Sequence, residues 1–313
     1  MKKTVLVIVG PTASGKSGVG IELAKKLNGT VISADSMQIY KGLDIGTAKV
    51  TKKESCGINH ELIDIIDMTK PFSVSDYKEL CYKKIEEIFN DGKIPIVVGG
   101  TGLYINAVIN NMEFEKFDET REKEIELKLE TLIKEKTSNE LYDMLYDMDK
   151  EAALKIGLGN DKRIIRAIKL NMLGINKSSI DSKNDLWNKN ESMYNFFVVF
   201  LDMPRDLLYD RINKRVDMMA ENGVLKEAEM VYKLKDSSIT AVQAIGYKEF
   251  FPYLENKKSL EECVDILKQK TRNYAKRQIT WFKKLPEKLV VDMTQSKEKI
   301  IEEIIRGYNE ENK

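Results

Sequence analysis

Eight residues near the N-terminus constrain this chain more than anything else in it. Gly10-Pro11-Thr12-Ala13-Ser14-Gly15-Lys16-Ser17 fits the pattern G-x-x-x-x-G-K-[ST]. Before it stands the unbroken apolar run 5–9, which reads as a strand covered on both faces. After it, Val19, Leu23 and Leu27 recur at a helical period until Asn28-Gly29 stops the helix. The two glycines let the backbone curl so that successive N–H groups face phosphate oxygens. The start of the helix adds the positive end of its dipole. Lys16 supplies a point charge, and the Ser17 hydroxyl suits Mg²⁺. Residues 10–17 are therefore expected to cradle a polyphosphate, which need not be ATP.

The same alternation continues. Residues 31–34, 94–98, 196–201 and 289–291 read as buried strands, and 77–89 as a helix with Leu80, Cys81, Ile85 and Ile88 on one face. Strands alternating with helices imply an α/β fold of the P-loop nucleoside-triphosphatase type, a parallel sheet with helices on both faces. Between 111 and 190 no strand pattern occurs; 122–133, 141–145, 152–156 and 163–173 carry helical periods, and 178–190 reads as a polar connection. The expected organisation is a core of 1–110 and 191–313, with an all-helical insertion at 111–190. Further helices are expected at 206–235 and 260–284.

Composition excludes several classes. Three well-separated cysteines (Cys56, Cys81, Cys263) argue against a disulfide scaffold and fit a reducing cytoplasm. A single histidine, His60, leaves no His cluster for metal and makes a Ser-His-Asp mechanism improbable; a structural hydrogen-bonding role suits it better. No apolar run approaches the roughly 20 residues of a membrane span, and the N-terminal run is too short for a signal peptide. Lys and Arg number 51 against 50 Asp and Glu, yet that balance hides a regional split. Residues 270–284 hold six bases and no acid, whereas 111–151 hold seven bases against fourteen acids.

Two further stretches carry chemistry. Asp35 ends the second strand, at the edge where parallel sheets place ligands. It can orient Mg²⁺, act as a general base, or merely cap a helix. The third strand ends in Gly99-Gly100-Thr101, where the backbone and the Thr101 hydroxyl face the ligand. In 270–284, Arg272, Lys276 and Lys283 share one helical face and Tyr274 and Trp281 interleave. That is a phosphate-tracking helix with stacking residues, or a solvated face whose aromatics pack inward; RNA contact is the favoured reading of the charges and core packing that of Trp281. Lys162, Arg163 and Arg166 form a second basic group.

Taken in order, GPTASGKS at 10–17, DSMQIY at 35–40, IGTAK at 45–49, HELID at 60–64, IVVGGTGLY at 96–104, DKRIIRA at 161–167, AVQAIGYKE at 241–249 and TRNYAKRQITWF at 271–282 resemble the tRNA dimethylallyltransferases of bacterial type. The resemblance spans most of the chain. It implies transfer of a dimethylallyl group from its diphosphate to N6 of adenosine 37, beside the tRNA anticodon, with diphosphate leaving and Mg²⁺ as cofactor. It implies that residues 10–17 bind the diphosphate together with Arg205 and Arg211. Asp35 would be the general base, and Thr101 would contact the diphosphate where N6 reacts. Ser36, Met37 and Gln38 would touch the target base, Gln38 because an amide can both donate and accept. Contacts to tRNA would further involve Arg121, Lys162, Arg163, Arg166, Gln243, Gly246, Arg272, Lys276 and Arg277. A cytoplasmic monomer is expected. The chain departs from the family at Lys41, Val50 and Glu61, none of which removes a group the chemistry needs. An adenylate isopentenyltransferase and a small-molecule P-loop kinase are the competing readings, but neither needs the helical insertion or the basic 270–284 helix.

Overall fold

A computed structural model of the chain describes residues 2–114, 118–183, 192–235 and 240–312. Two compact units are present, Met1–Ile109 with Glu191–Lys313, and Asn110–Asn190.

In the first unit the chain runs β1 (Thr4–Val9), α1 (Lys16–Leu27), β2 (Gly29–Ala34), β3 (His60–Glu61), α2 (Val74–Asn90), β4 (Ile94–Gly99) and α3 (Gly102–Ile109). The second unit holds α4 (Glu119–Glu135), α5 (Ser138–Met148), α6 (Lys150–Ile156), α7 (Asp161–Met172) and α8 (Lys177–Lys183). The first unit resumes with β5 (Asn195–Asp202), α9 (Arg205–Glu221), α10 (Val224–Tyr232), α11 (Phe251–Leu254), α12 (Leu260–Lys283), β6 (Lys288–Asp292) and α13 (Lys297–Glu311). Two single 3₁₀ turns, Thr240–Gln243 and Lys248–Phe250, precede α11.

The six strands form one parallel sheet in the order β3-β2-β4-β1-β5-β6. Side chains alternate across a strand, and β1 shows why it is apolar throughout. Val5, Val7 and Val9 enter a core with Tyr77, Cys81 and Ile85 of α2. Leu6 and Ile8 enter another with Val19 and Leu23 of α1 and Ile300 and Ile304 of α13. A third core, around Tyr40, Leu43, Val216, Val224, Tyr247 and Leu267, joins the 39–48 loop to α9, α10 and α12.

That loop has almost no regular structure, and a buried carboxylate folds it. Glu227 of α10 accepts the backbone N–H groups of Asp44 (3.0 Å), Ile45 (2.8 Å) and Gly46 (3.0 Å) and the Tyr247 hydroxyl (2.9 Å). Four donors on one carboxylate offset the cost of its burial.

Two elements differ from expectation. Strand β3 is only two residues long, too short to show a period, and forms because β2 offers it a free edge. His60 in it keeps a structural role, its Nδ1 2.9 Å from the Ile58 carbonyl oxygen. Neighbouring Glu61 pairs with Lys84 at 3.1 Å, so that departure from the family pattern finds a local partner. The polar stretch 178–190 begins inside α8, where buried Asp149 accepts the Ser178 N–H at 2.9 Å; residues 184–190 lie outside the described ones. A tertiary anchor of this kind leaves no periodicity to read.

The second unit closes around Ile125, Leu129, Leu141, Leu145, Ile164 and Ile168. No helix among the described residues is long and apolar enough to cross a membrane.

Candidate active site

Four chain segments leave the carboxyl ends of neighbouring strands. The 10–15 loop follows β1, Asp35 follows β2, Gly100-Thr101 follows β4, and α9 follows β5. In an open parallel sheet this edge is where ligands bind.

The 10–15 loop passes through the left-handed region at two positions. Gly15 caps α1 at φ 95°, and Ala13 stands at φ 63°. The half-buried Lys16 folds its ammonium back onto the Pro11 carbonyl at 2.7 Å. Burial is the main cause that brings Lys16 down to about 7; the positive charge of Arg215 adds to it and the Asp35 carboxylate opposes it. Ser14 Oγ is buried without a hydrogen-bond partner among the described residues, an unspent donor inside the loop. The Ser17 hydroxyl lies on an exposed residue at the start of α1.

Arg215 joins the site although its place in the sequence does not single it out. Arg205 and Arg211, expected at the diphosphate, are exposed on α9, whereas Arg215 lines the cavity described below. The physical reason is helical phase. Leu208, Ile212 and Met219 form the buried stripe of α9, and Arg215 falls in that stripe at i, i+4, i+7, i+11. A guanidinium in an apolar stripe was a legible signal. Burial lowers its pKa, with Asp35 opposing.

Asp35 is half-buried, and its Oδ1 accepts the Met37 N–H at 2.9 Å. This is a side-chain turn of the Asx kind. No helix starts there, which removes the helix-cap reading. The Ser36 N–H donates to Thr101 Oγ1 at 3.0 Å, and Thr101 N–H donates to the Ala34 carbonyl at 3.2 Å. Thr101 thus pins the Asp35 turn to the end of β4, and it does not line the cavity.

Gln38 also departs from expectation. Its amide oxygen accepts from Ser33 Oγ at 3.0 Å, and its amide nitrogen donates to the Thr47 carbonyl at 3.2 Å. Both ends of the amide help fasten the 47–48 loop to β2, and Gln38 is not among the residues that line the cavity described below. Ser36 and Met37 do face the cavity.

Thr12 of the cradle, the Asp35 turn, α9, the 240–246 segment and α12 enclose a cavity of about 270 Å³, near the lower end of small-molecule sites. Thr12, Asp35, Ser36, Arg215 and Arg277 make its polar side; Val216, Met219, Ala244, Ile245 and Leu267 make an apolar side. Gln243 and Gly246 lie on its wall. Tyr274 of α12 completes it; burial raises its phenol pKa, so the ring stays neutral. Exposed Arg277 sits over the Tyr274 ring at 5.6 Å.

The basic α12 divides in two. Lys276 is exposed, its ammonium 5.9 Å from the Tyr209 ring centroid. Arg272, expected beside it on the RNA face, instead donates to Asn213 Oδ1 of α9 at 2.6 Å and is half-buried. The reason is that α12 packs against α9 along Ala275 and Ile279, and Arg272 lies close to that seam. Trp281 packs into the core with α2 and α3. Arg121 of α4 and Lys162, Arg163 and Arg166 of α7 are exposed on the second unit.

Among the described residues no group of three or more His, Cys, Asp or Glu could hold a metal. A magnesium ion here would be held by the Ser17 hydroxyl, diphosphate oxygens and water, which suits its preference for phosphate and water over protein cages.

The displaced pKa of Lys16 has a measurable consequence. An anion bound against the ammonium favours its charged form and raises its pKa again. At about pH 8 the free protein carries mostly neutral Lys16, so binding of a diphosphate there would take up close to one proton. Affinity then falls as pH rises above 7, by up to about tenfold per unit, and Lys16→Met flattens the dependence. Calorimetry in buffers of different ionisation heat checks this; binding without proton uptake contradicts it.

The chain is similar to known proteins over nearly its whole length. The family model described as "IPP transferase" matches residues 38–285. A tRNA dimethylallyltransferase of Acetivibrio thermocellus is 48% identical over 303 residues, 96% of each chain. A crystal structure of tRNA Δ2-isopentenylpyrophosphate transferase from Staphylococcus epidermidis has a TM-score of 0.71 at 41% identity, covering 99% of this chain and 100% of that one. A eukaryotic dimethylallyltransferase crystallised acting on tRNA has a TM-score of 0.76 at 31% identity, covering 93% of this chain and 74% of its own. With its P-loop cradle, its Asp35 turn and these relatives over nearly its whole length, the chain belongs to the IPP transferase family, the tRNA dimethylallyltransferases.

Proposed function

We propose that the protein transfers the dimethylallyl group of dimethylallyl diphosphate to N6 of adenosine 37 in tRNA, forming N6-isopentenyladenosine and releasing diphosphate. One observation carries the reading. Arg215 and Arg277 line a cavity that holds a single carboxylate, Asp35, and Lys16 of the adjoining cradle is close enough to feel the charges of both Arg215 and Asp35. Such a site is short of negative charge, and a diphosphate supplies it. The apolar side of the cavity suits a branched hydrocarbon.

In the proposed step the N6 lone pair attacks the allylic carbon. The carbon–oxygen bond breaks, and its electron pair leaves with the diphosphate. Asp35 accepts the N6 proton. Lys16, Arg215 and the loop N–H groups stabilise the departing charge. Bound Mg²⁺ would contribute further positive charge toward the diphosphate. Adenine leaves its loop stack to enter the cavity, at a cost of a few kcal/mol.

tRNA is the macromolecular substrate in this reading, docked on Arg277 and Lys276 of α12 and, in the second unit, on Arg121, Lys162, Arg163 and Arg166. A monomer acting in the cytoplasm accords with it. Lys276→Ala weakens tRNA binding across sequences and lowers the slope of log affinity against log salt by about 0.7–0.9. Filter binding at several salt concentrations checks this, and an unchanged slope removes Lys276 from the interface.

The experiment for the function is direct. Purified protein is incubated with labelled dimethylallyl diphosphate and either unmodified tRNA or AMP. Label in tRNA at N6 of residue 37 supports the proposal. Label in AMP alone makes the protein an adenylate isopentenyltransferase, and ATP-dependent phosphorylation without prenyl transfer makes it a kinase.

A further inference from the structure

The reaction proposed above is carried by two loops that leave different strands. The cradle follows β1. Gly100-Thr101 follows β4, and Thr101 holds the Asp35 turn through the Ser36 N–H at 3.0 Å. Gln278 of α12 bonds to both loops at once. Its Oε1 accepts the Thr12 N–H at 2.8 Å, and its Nε2 donates to the Gly100 carbonyl at 2.9 Å. The side chain is only 5% exposed. A run of hydrogen bonds and one peptide link therefore joins the cradle to the base, from Thr12 through Gln278, Gly100 and Thr101 to the Asp35 turn.

The fit around this amide is close. A Cβ on Gly100 would lie 2.3 Å from Gln278 Nε2, so any side chain there would displace the amide. The chemistry is equally narrow. The bridge needs one acceptor and one donor on a neutral group, which a primary amide presents on adjacent atoms at the end of a flexible stem. Buried amides with both ends paired are stiff, because leaving either end unpaired is costly.

We propose that Gln278 is a positioning residue for the transfer. It holds the diphosphate cradle and the Asp35–Thr101 wall in the register that places the allylic carbon between leaving group and amine. The inference rests on the proposed transfer reaction. Displacement is sensitive to such register, since an error of about 1 Å costs about 10²-fold in rate.

The test compares the wild type with Gln278→Met, which keeps the length and loses both bonds, and Gln278→Glu, whose carboxylate keeps the Thr12 N–H and loses the donor to Gly100. Transfer to tRNA is measured at saturating and limiting dimethylallyl diphosphate, per mole of folded protein, with tRNA affinity measured separately. For Gln278→Met, kcat is expected to fall about 10²-fold, with KM for dimethylallyl diphosphate changed less than about threefold and tRNA affinity unchanged. For Gln278→Glu, KM stays at the wild-type value and kcat falls by an intermediate factor. A merely structural amide would lower the unfolding midpoint and leave the kcat of the folded fraction alone. Either folded variant with kcat within threefold of wild type overturns the proposal, and the glutamate variant decides if the methionine one does not fold. A wild type that fails to transfer label to tRNA overturns the reaction itself, a result readily told apart from either outcome.

Discussion

Asp35→Asn is expected to lower the rate of transfer to tRNA by about 10³-fold, equivalent to about 4 kcal/mol of transition-state stabilisation. Asparagine keeps the side-chain oxygen that accepts the Met37 N–H, so the turn after β2 survives. What it removes is the capacity to accept a proton from N6. Substrate binding precedes that proton transfer, so tRNA affinity and the KM for dimethylallyl diphosphate stay close to wild type. Single-turnover kinetics with prebound tRNA isolates the step. A rate within about tenfold of wild type would strip Asp35 of the base role, because a general base is worth at least about 10²-fold.

The second large effect is expected at Arg215. Arg215→Gln removes a desolvated cation from the departing diphosphate and lowers kcat by about 10²–10³-fold. The same substitution has a second, independent signature. The Arg215 charge is one cause of the low Lys16 pKa; without it the Lys16 pKa rises. In the variant, the proton uptake that accompanies diphosphate binding therefore shifts to higher pH. Loss of rate with no shift in that titration would mean that Arg215 acts at a distance from Lys16, against the cavity described here. Arg205→Gln and Arg211→Gln, on the exposed face of α9, are the matched controls and leave kcat within a few-fold.

The stability sign for Lys16 follows from the same shift. Its folded-state pKa of about 7 lies below the usual lysine value of 10.5. Between those values the unfolded chain binds more protons, so this group makes the protein more stable as pH rises through that window and less stable at neutral pH. Anion binding relieves that cost.

Local pattern made much of this protein legible. The unbroken apolar runs of β1, β4 and β5 announced strands covered on both faces, and the 10–17 motif announced the turn between β1 and α1. Asp35 and Thr101 could be placed at strand ends because a parallel sheet aligns its carboxyl ends along one edge. Arg215 was legible in principle, as a charge in the apolar stripe of α9, but proximity to the strand end drew attention to Arg205 and Arg211 instead. Gln38 and Arg272 show a different limit. Residue type says what a side chain can bond to, whereas the neighbours that use up its bonds, the Thr47 carbonyl and Asn213, arrive from other elements.

The sequence by itself thus determined the class of fold, the strand–loop–helix that carries the 10–17 motif and the family, because these depend on spacing along the chain. Only the tertiary structure decided which cations meet Asp35, that Thr101 supports the Asp35 turn without lining the cavity, and that Gln278 spans two loops. Those facts depend on distances between segments far apart in sequence (Thr12 and Gln278 stand 266 residues apart), and no local period encodes them.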